Sequence, residues 1–260
     1  MHLDLRLPAV SARFIPVWRR NFLVWRKLAG PSILGNIADP MIALVAFGYG
    51  LGSLMPSVQG VPYIQFLAAG TVCMSAMNAA TFEALYSAFS RMHVQRTWDG
   101  IMNAPVDLDD VLLGELTWAA TKSFMSGLAI MLVVWALGLA ADARSILILP
   151  VIILIGLAFA GIGLVINALA KGYDFFQYYF TLVITPMAFM SGVFFPLSQL
   201  PAWLQWLAQC LPLTHAIAMA RPLLLGEWPT HVVLHVGVLL SYAVAGAYLA
   251  SILTRRRLSR

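Results

Sequence analysis

Residues 147–170 read LILPVIILIGLAFAGIGLVINALA, an apolar run without a single charged side chain. An apolar run of about 18 residues or more is long enough to cross the hydrocarbon core of a bilayer as an α-helix. Similar runs recur along the chain, so the bilayer rather than water is the predicted solvent for most of it. The sequence therefore predicts a polytopic membrane protein.

The composition supports this interpretation and excludes an ordinary cytosolic enzyme. Of the 260 residues, 61% are hydrophobic and only 10% are charged, and the mean hydropathy is +0.84. Soluble domains carry about 25% charged residues. The net charge of +5 comes from basic residues at the two ends and in short loops, so it does not indicate a nucleic-acid partner.

The hydropathy pattern predicts an all-α fold, a single membrane domain over residues 1–260, with six transmembrane helices. A span needs roughly 20 residues. The predicted spans are 32–54, 63–89, 112–139, 147–170, 175–195 and 231–253.

The distribution of basic residues predicts the orientation of these spans. Thirteen basic residues fall on one side, Arg6, Arg13, Arg19, Arg20, Arg26, Lys27, Arg91, Arg96, Lys171, Arg255, Arg256, Arg257 and Arg260. Only Arg144 and Arg221 fall on the other side, and Lys122 lies within a span. Because cytoplasmic loops carry the excess of Lys and Arg, both termini are predicted to be cytoplasmic.

The N-terminal segment 1–30 is predicted to contain a helix that lies in the membrane interface. Within 11–29, two tryptophans and two phenylalanines recur at helical spacing, with basic residues mostly on the opposite side. The alternative is a solvated basic tail, but such a tail has no use for four aromatic side chains.

Two longer connections carry their own patterns. The cytoplasmic loop 90–111 holds an apolar set, which includes Trp98, Ile101 and Met102, that suits packing on the membrane or on a partner. Segment 196–230 is rich in proline and tryptophan, and its apolar pieces are too short to span the bilayer twice. We expect a re-entrant or interfacial helical cap on the outer face.

Four ionisable residues fall in the cytoplasmic half of the predicted spans, namely Asp39, Glu83, Glu115 and Lys122. Charges in hydrocarbon are costly and normally face a bundle interior or a pathway. One hypothesis is that Lys122 pairs with one of the acids and locks the helices together. The other is a cytoplasmic gate whose ion pairs exchange partners as the helices move.

Span 2 also carries Thr71, Ser75 and Asn78 on one face, which suits either a polar path or hydrogen bonds to a neighbouring helix. No phosphate-binding G-x-x-x-x-G-K-[ST] motif and no catalytic or metal motif occurs in the sequence. We therefore expect no catalytic residue, no metal site and no cofactor bound by this chain.

Two stretches resemble the permeases of type 2 ATP-binding-cassette (ABC) transporters. Residues 97–116, TWDGIMNAPVDLDDVLLGEL, resemble the family's cytoplasmic loop, although the family's glycine before Thr97 is Arg96 here. The second stretch resembles the family's outer-face signature through Ser191, Gly192, Phe194, Phe195, Pro196, Pro201, Pro212, His215 and Arg221. Within the family, these stretches are most similar in sequence to those of permeases that export nodulation-type lipo-oligosaccharides.

The resemblance implies a bacterial inner-membrane permease that pairs with a second permease copy and with two ATPase subunits, which bind ATP and magnesium. It also implies a coupling segment, which we place at about 92–108. The coupling residues expected there are Trp98, Asp99, Ile101, Met102 and Pro105. Apolar side chains of such a segment would insert into a groove of the ATPase.

An amphiphilic, glycolipid-like or lipo-oligosaccharide substrate is the leading expectation. Export of drugs or other hydrophobic compounds by the same family remains open, because a pathway wall of Phe, Met, Ser and Asn suits either. An ion-coupled secondary transporter is a more distant alternative, since it would need internal repeats and charges at the membrane midplane.

Overall fold

The computed structural model describes residues 6–9 and 11–258, except for the side chains of Asn36 and Asp39. This described part is almost entirely helical. Its α-helices are α1 (Phe14–Arg26), α2 (Ala29–Leu54), α3 (Tyr63–Phe82), α4 (Thr97–Met102), α5 (Leu108–Ala136), α6 (Ile148–Leu169), α7 (Asp174–Tyr179), α8 (Thr185–Met190), α9 (Ala202–Ala208), α10 (Pro212–Leu224) and α11 (Val232–Leu258). A short antiparallel hairpin, β1 (Ser57–Val58) and β2 (Val61–Pro62), connects α2 to α3.

Four of the six predicted spans are confirmed as helices long and apolar enough to cross a membrane in the described part of the chain. These are α2, α5, α6 with its preceding 3-10 turn Ala143–Leu147, and α11. The other two stay predictions. Segment 63–89 mixes polar with apolar residues, and 175–195 contains the helix α7–α8, in which the π-helical turn Phe180–Ile184 separates two short α-helical pieces.

The interior of the bundle is built around α3. This helix is buried on most of its surface and packs against α2, α5, α6 and α10. Its large side chains Tyr63, Phe66 and Met77 are almost completely inaccessible. A helix that other helices surround on most sides needs no single apolar stripe, which explains why α3 lacks an amphipathic pattern.

Helices α6 and α11 approach each other closely through glycines. A Cβ atom on Gly246 would lie 2.7 Å from the backbone carbon of Gly161 and 3.0 Å from the nitrogen of Ile162. Both neighbours are backbone atoms of another helix, so neither can yield by a side-chain rotation. Small residues allow this kind of close helix contact within membranes.

We expect Gly246→Ala to destabilise the protein by about 2 kcal/mol, because the new methyl group overpacks the α6–α11 contact. The matched control is Gly237→Ala on the same helix, where a Cβ would meet no heavy atom within 4 Å. Thermal unfolding of the two variants in detergent measures the difference. Equal melting temperatures for both variants would show that the contact is not tight.

The predicted N-terminal helix is confirmed as α1, and it packs along α5. Val17 sits on Gly114, where a Cβ would come within 2.7 Å of it. The indole of Trp18 donates to Thr121 Oγ1 at 3.0 Å, and Trp25 packs edge-on against Trp118. The aromatic side chains therefore attach α1 to the bundle, while its position in the membrane interface stays a prediction.

Segment 196–230 forms three short helical pieces, the 3-10 turn Leu197–Gln199, α9 and α10. Pro201 directly precedes α9, and Pro212 is the first residue of α10, where its missing N–H costs nothing. Trp203 and Trp206 are 68% and 79% exposed on α9. The segment is helical, and both the cap and its depth in the membrane stay predictions.

The basic residues gather at one end of the bundle. Arg255 near the end of α11 pairs with Asp109 at the start of α5, and Arg257 donates to the carbonyl of Asn167 near the end of α6 at 2.9 Å. Arg144 contacts the carbonyl of Gly226 at the opposite end. The orientation of the bundle in the membrane stays a prediction.

Candidate functional site

The basic end of the bundle contains a buried charge network centred on Arg91. Its Nε donates to Glu115 Oε1 at 2.9 Å, and its Nη2 donates to Glu83 Oε1 at 2.9 Å. Glu83 begins the π-helical turn Glu83–Ser87 and Arg91 lies in a second one, Ser90–Val94. The helix of α3 thus continues by two further turns, which brings both residues onto one face.

Two indoles complete this network. Trp98 donates from Nε1 to Glu115 Oε1 at 3.0 Å, and Trp118 donates from Nε1 to Glu83 Oε1 at 2.8 Å. Each carboxylate thus accepts both from the guanidinium and from an indole. Buried charged groups are tolerated when their hydrogen-bonding capacity is satisfied in this way.

The electrostatics of Arg91 follow from this arrangement. Burial by itself would lower its pKa, but the charges of Glu115 and Glu83, together with their hydrogen bonds, outweigh burial and raise the pKa above its usual value. Arg91 is therefore a permanent cation. It links the continuation of α3 to α5.

Lys122 pairs with neither Glu83 nor Glu115 in the structure, and its pairing with Asp39 stays a prediction. Its Nζ donates to Ser32 Oγ at 2.7 Å and lies 5.2 Å from the ring centroid of Trp25. Among the described side chains, the salt bridges of Glu83 and Glu115 come from Arg91 and not from Lys122. The side chain of Asp39, the fourth residue of the predicted cluster, lies outside the described residues.

Sequence reasoning missed Arg91 and Trp118 as members of the network. The sequence places Arg91 in the predicted loop 90–111, whereas the helix continues through it. The spacing of eight residues between Glu83 and Arg91 fits two helical turns, but it becomes informative only once the helix is known to continue beyond residue 89.

The predicted coupling segment 92–108 folds into α4 and flanking turns. The structure corrects one part of the prediction: Trp98 is 1% exposed and belongs to the interior, so it is not available as a surface knob. Asp99 and Pro105 are exposed, and Ile101 and Met102 are half-buried. The surface that α4 presents therefore consists of these four residues and their neighbours.

Arg96 precedes α4 with a φ of 49°, in the left-handed region. Glycine adopts this conformation without steric cost, whereas a residue with a Cβ atom does not. The glycine in the family pattern at this position therefore has a conformational reason. In this chain Arg96 adopts that left-handed conformation in place of a glycine.

A groove of about 420 Å³ opens between α2, α3 and the α7–α8 region. Asn78 lines it together with Ser75, Ser126 and Thr185, and its other wall includes Phe189. Ser75 and Ser126 share a hydrogen bond of 2.8 Å. The groove thus combines hydroxyl and amide groups with aromatic rings.

The three polar residues predicted on one face of span 2 separate into two roles. Thr71 is buried and donates to the carbonyl of Leu67 in its own helix at 2.9 Å. Ser75 bonds across to α5 through Ser126. Asn78 is half-buried, and it lines the groove together with Ser75.

The outer-face signature forms a tight turn after α8. Gly192 has a φ of +81°, and its carbonyl accepts from Arg221 Nη2 at 2.6 Å. The guanidinium of Arg221 also lies 3.7 Å from the ring centroid of Phe66. Arg221 on α10 thus holds the turn against α3, where Tyr63 donates to the carbonyl of Phe194 at 3.1 Å.

Other residues of the signature support the same turn. Ser191 and Pro196 are buried and Phe195 is half-buried beside the turn. His215 on α10 lies 2.8 Å from His235 on α11, measured between their Nδ1 atoms, and its Nε2 donates to the carbonyl of Gln209 at 2.8 Å. These contacts make the signature a packing and hydrogen-bonding unit.

Comparison with known proteins gives matches over most of the chain. A family model described as ABC-2 type transporter matches residues 13–225. Nodulation protein J of Rhizobium meliloti (strain 1021) is 50% identical over 252 residues, which cover 97% of this chain and 96% of that protein. Nodulation protein J of Rhizobium leguminosarum bv. viciae is 48% identical over 254 residues, 98% of either chain. The inner membrane transport permease YadH of Escherichia coli (strain K12) is 23% identical over 229 residues, with 88% of this chain and 89% of that protein covered.

Proposed function

Because the chain belongs to the ABC-2 type transporter family, we propose that it is the membrane-spanning permease subunit of an ATP-driven exporter of lipo-oligosaccharides. The family membership confirms the resemblance drawn from the cytoplasmic loop and the outer-face signature. The observation that carries the substrate class is the identity of about half of all residues to proteins named for nodulation, over nearly the full length of both chains.

ATP hydrolysis belongs to a separate subunit in this proposal. Members of the family normally work with an ATPase partner, and the sequence contains no phosphate-binding loop of its own. Two ATPase subunits, which bind ATP and magnesium, would join two permease copies in the inner membrane, with all four chain termini of the permeases in the cytoplasm. The excess of basic residues at one end of the bundle supports this orientation.

The exposed surface of α4 is proposed as the main contact with the ATPase. Asp99 and Pro105 are exposed there, and Ile101 and Met102 are partly accessible beside them. Behind this surface, Trp98 connects α4 to Glu115 on α5. A displacement of α4 by the ATPase would therefore be transmitted directly to the buried charge network. In this way the network would contribute to coupling between ATP hydrolysis and transport as well as to stability.

The groove between α2, α3 and α7–α8 is proposed as one wall of the export pathway. It offers hydroxyl and amide groups that suit a sugar and aromatic rings that suit an acyl chain. A second permease copy facing it would close the pathway. The same chemistry would accept other amphiphiles, and export of drugs or other hydrophobic compounds is the second candidate function.

The first experiment is affinity purification of the tagged chain from its native membranes, followed by mass spectrometry of the proteins that co-purify. We expect a stoichiometric soluble protein that contains a phosphate-binding loop. Purification of the permease alone under mild conditions, at every yield, would contradict the proposal and reopen the secondary-transporter alternative.

The coupling surface predicts the behaviour of Ile101→Asp in the same experiment. A charge in the centre of an apolar contact should lower the co-purified ATPase at least about tenfold, which corresponds to about 1.4 kcal/mol. The permease itself should remain folded, because Ile101 is half-buried at the surface. As a control, Ile146→Asp changes an isoleucine of 54% exposure in the 3-10 turn Ala143–Leu147, away from α4. Equal ATPase recovery with both variants would remove α4 as the contact.

The groove predicts the behaviour of Asn78→Leu. This change should abolish the stimulation of ATP hydrolysis by lipo-oligosaccharide in the reconstituted complex, because it removes an amide from the pathway wall. ATPase association and basal hydrolysis should stay unchanged. Full stimulation of the variant by substrate would exclude Asn78 from the pathway.

A further inference from the structure

A second cavity, of about 670 Å³, lies beneath α1 at the basic end of the bundle. We call it the basic cavity. Its lining includes Arg20 and Asn21 on α1, Ser32 on α2, Glu83 after α3 and Lys122 on α5, with the ring of Trp25 beside them. It adjoins the groove described above, because Gly35, Ala79 and Phe82 line both, but the proposed export pathway makes no use of its cations.

Two of the cations in the basic cavity have no acidic partner among the described side chains. The only polar contacts of Arg20 and Lys122 in that set are with neutral groups: Arg20 Nη1 donates to Asn21 Oδ1 at 3.0 Å, and Lys122 Nζ donates to Ser32 Oγ. Arg91 and Glu83 also line the cavity, and Arg91 together with its two carboxylates, Glu83 and Glu115, carries one net negative charge. Against the two positive charges of Arg20 and Lys122, this leaves one positive charge that no described side chain balances.

The environment of Arg20 makes its positive charge unfavourable. Burial lowers its pKa, and the nearby charge of Arg91 lowers it further, while Glu115 acts in the opposite direction. A half-buried cation beside another cation is stabilised by any anion that enters between them.

Asn21 supplies an independent indication of a ligand. Its side chain is 3% exposed and lines the cavity. The amide oxygen accepts from Arg20, but the amide nitrogen Nδ2 has no hydrogen-bond partner. A buried donor without a partner costs about 1–3 kcal/mol, and an oxygen atom bound in the cavity would remove that cost.

The mouth of the basic cavity is apolar. Val24 and Leu28, at the junction of α1 and α2, line the cavity and are 53% and 67% exposed. Cations inside and apolar side chains at the rim match a molecule with an anionic head and hydrocarbon tails. A free inorganic anion would leave the rim without a partner.

We propose that the basic cavity binds the oxyanion headgroup of an anionic phospholipid from the adjoining leaflet, through Arg20, Lys122 and the free amide of Asn21. The acyl chains lie along Val24 and Leu28. Bound lipid would join α1 to α2 and α5, and so hold the N-terminal helix in place. An anionic export substrate shares this chemistry, and the experiment below separates the two.

The test is native mass spectrometry of the permease with its co-purified partners, titrated with phosphatidylglycerol or phosphatidylcholine in detergent. We expect wild type to bind phosphatidylglycerol at least about tenfold more tightly than phosphatidylcholine, a difference of about 1.4 kcal/mol. Arg20→Gln and Lys122→Met should each remove most of this preference. Asn21→Asp, which keeps the size of the side chain, should do the same by placing a carboxylate beside Arg20.

The matched control is Arg19→Gln, which removes an exposed cation from the same helix without altering the basic cavity. It should retain the preference of wild type within about twofold, since single surface charges contribute little. Equal losses in Arg19→Gln and Arg20→Gln would show general surface attraction and overturn the proposal. Equal binding of both lipids by wild type would overturn it as well.

A second measurement identifies the natural occupant. The mass of the ligand that co-purifies from native membranes is measured by native mass spectrometry before and after ATP turnover. A phospholipid that is retained supports the proposal. A different anionic amphiphile that is lost on turnover would assign the cavity to the export substrate and overturn the assignment to phospholipid. Neither result depends on whether the exported molecule is a lipo-oligosaccharide.

Discussion

Replacement of Arg91 by methionine is expected to lower the free energy of unfolding by about 3–5 kcal/mol, the cost of breaking a buried ion pair by removing one partner. Arg91 is the guanidinium shared by Glu83 and Glu115, whose side chains are 10% and 1% exposed. Without it, two carboxylates would face each other in the interior. Thermal unfolding in detergent and the yield of membrane-inserted protein measure the loss.

Two controls separate the network from a general effect of losing an arginine. Arg96→Met removes an exposed cation only five positions further along and should leave stability nearly unchanged. Neutralising both acids in the Arg91→Met background, by Glu83→Gln and Glu115→Gln, should recover most of the loss, because a buried neutral set costs less than unpaired charges. If Arg91→Met melts like wild type, the network contributes no stability and the lock hypothesis fails.

Trp98→Ala is expected to cost about 3–5 kcal/mol as well, the range for truncating a large aromatic residue in a core. Trp98 is 1% exposed and is among the largest fully buried side chains of the chain. Its loss would also leave Glu115 with one donor fewer. The same unfolding measurement reports the effect, with Val94→Ala as a control, since Val94 is 61% exposed in the same segment.

Trp98→Phe distinguishes the indole hydrogen bond from packing. It keeps most of the apolar volume and removes the donor, so it should cost about 1–3 kcal/mol, less than Trp98→Ala. A Trp98→Ala protein that is as stable as wild type but has lost its ATPase would contradict the interior placement. That outcome would restore Trp98 as a surface knob.

Much of the architecture follows from local sequence. Long apolar runs require helices in a bilayer because backbone polar groups must be satisfied within the segment, and four of the six predicted spans are confirmed on that basis. The N-terminal helix follows from its aromatic spacing, and the family follows from two short stretches. These features depend on residues that are close to one another along the sequence.

The partners of the buried charges could not be predicted in this way. Sequence reasoning placed Glu83, Glu115 and Lys122 at one depth, but it named Lys122 as the partner and left Arg91 in a loop. Which cation reaches the acids depends on the continuation of α3 through two π-helical turns. A π-turn rotates the following residues relative to an α-helix, and no apolar periodicity marks it.

The position of Trp98 and the shape of the two cavities were likewise decided by tertiary structure. In the sequence, Trp98 is one more apolar residue beside Ile101, and its burial depends on where α5 presents Glu115. Asn21 follows two arginines and carries no signal of a ligand site until α2 and α5 enclose it. The sequence by itself determined the helices and the family, because helix formation in a membrane is a local requirement. Tertiary structure determined which polar groups meet, because charges separated by tens of residues find each other only through packing.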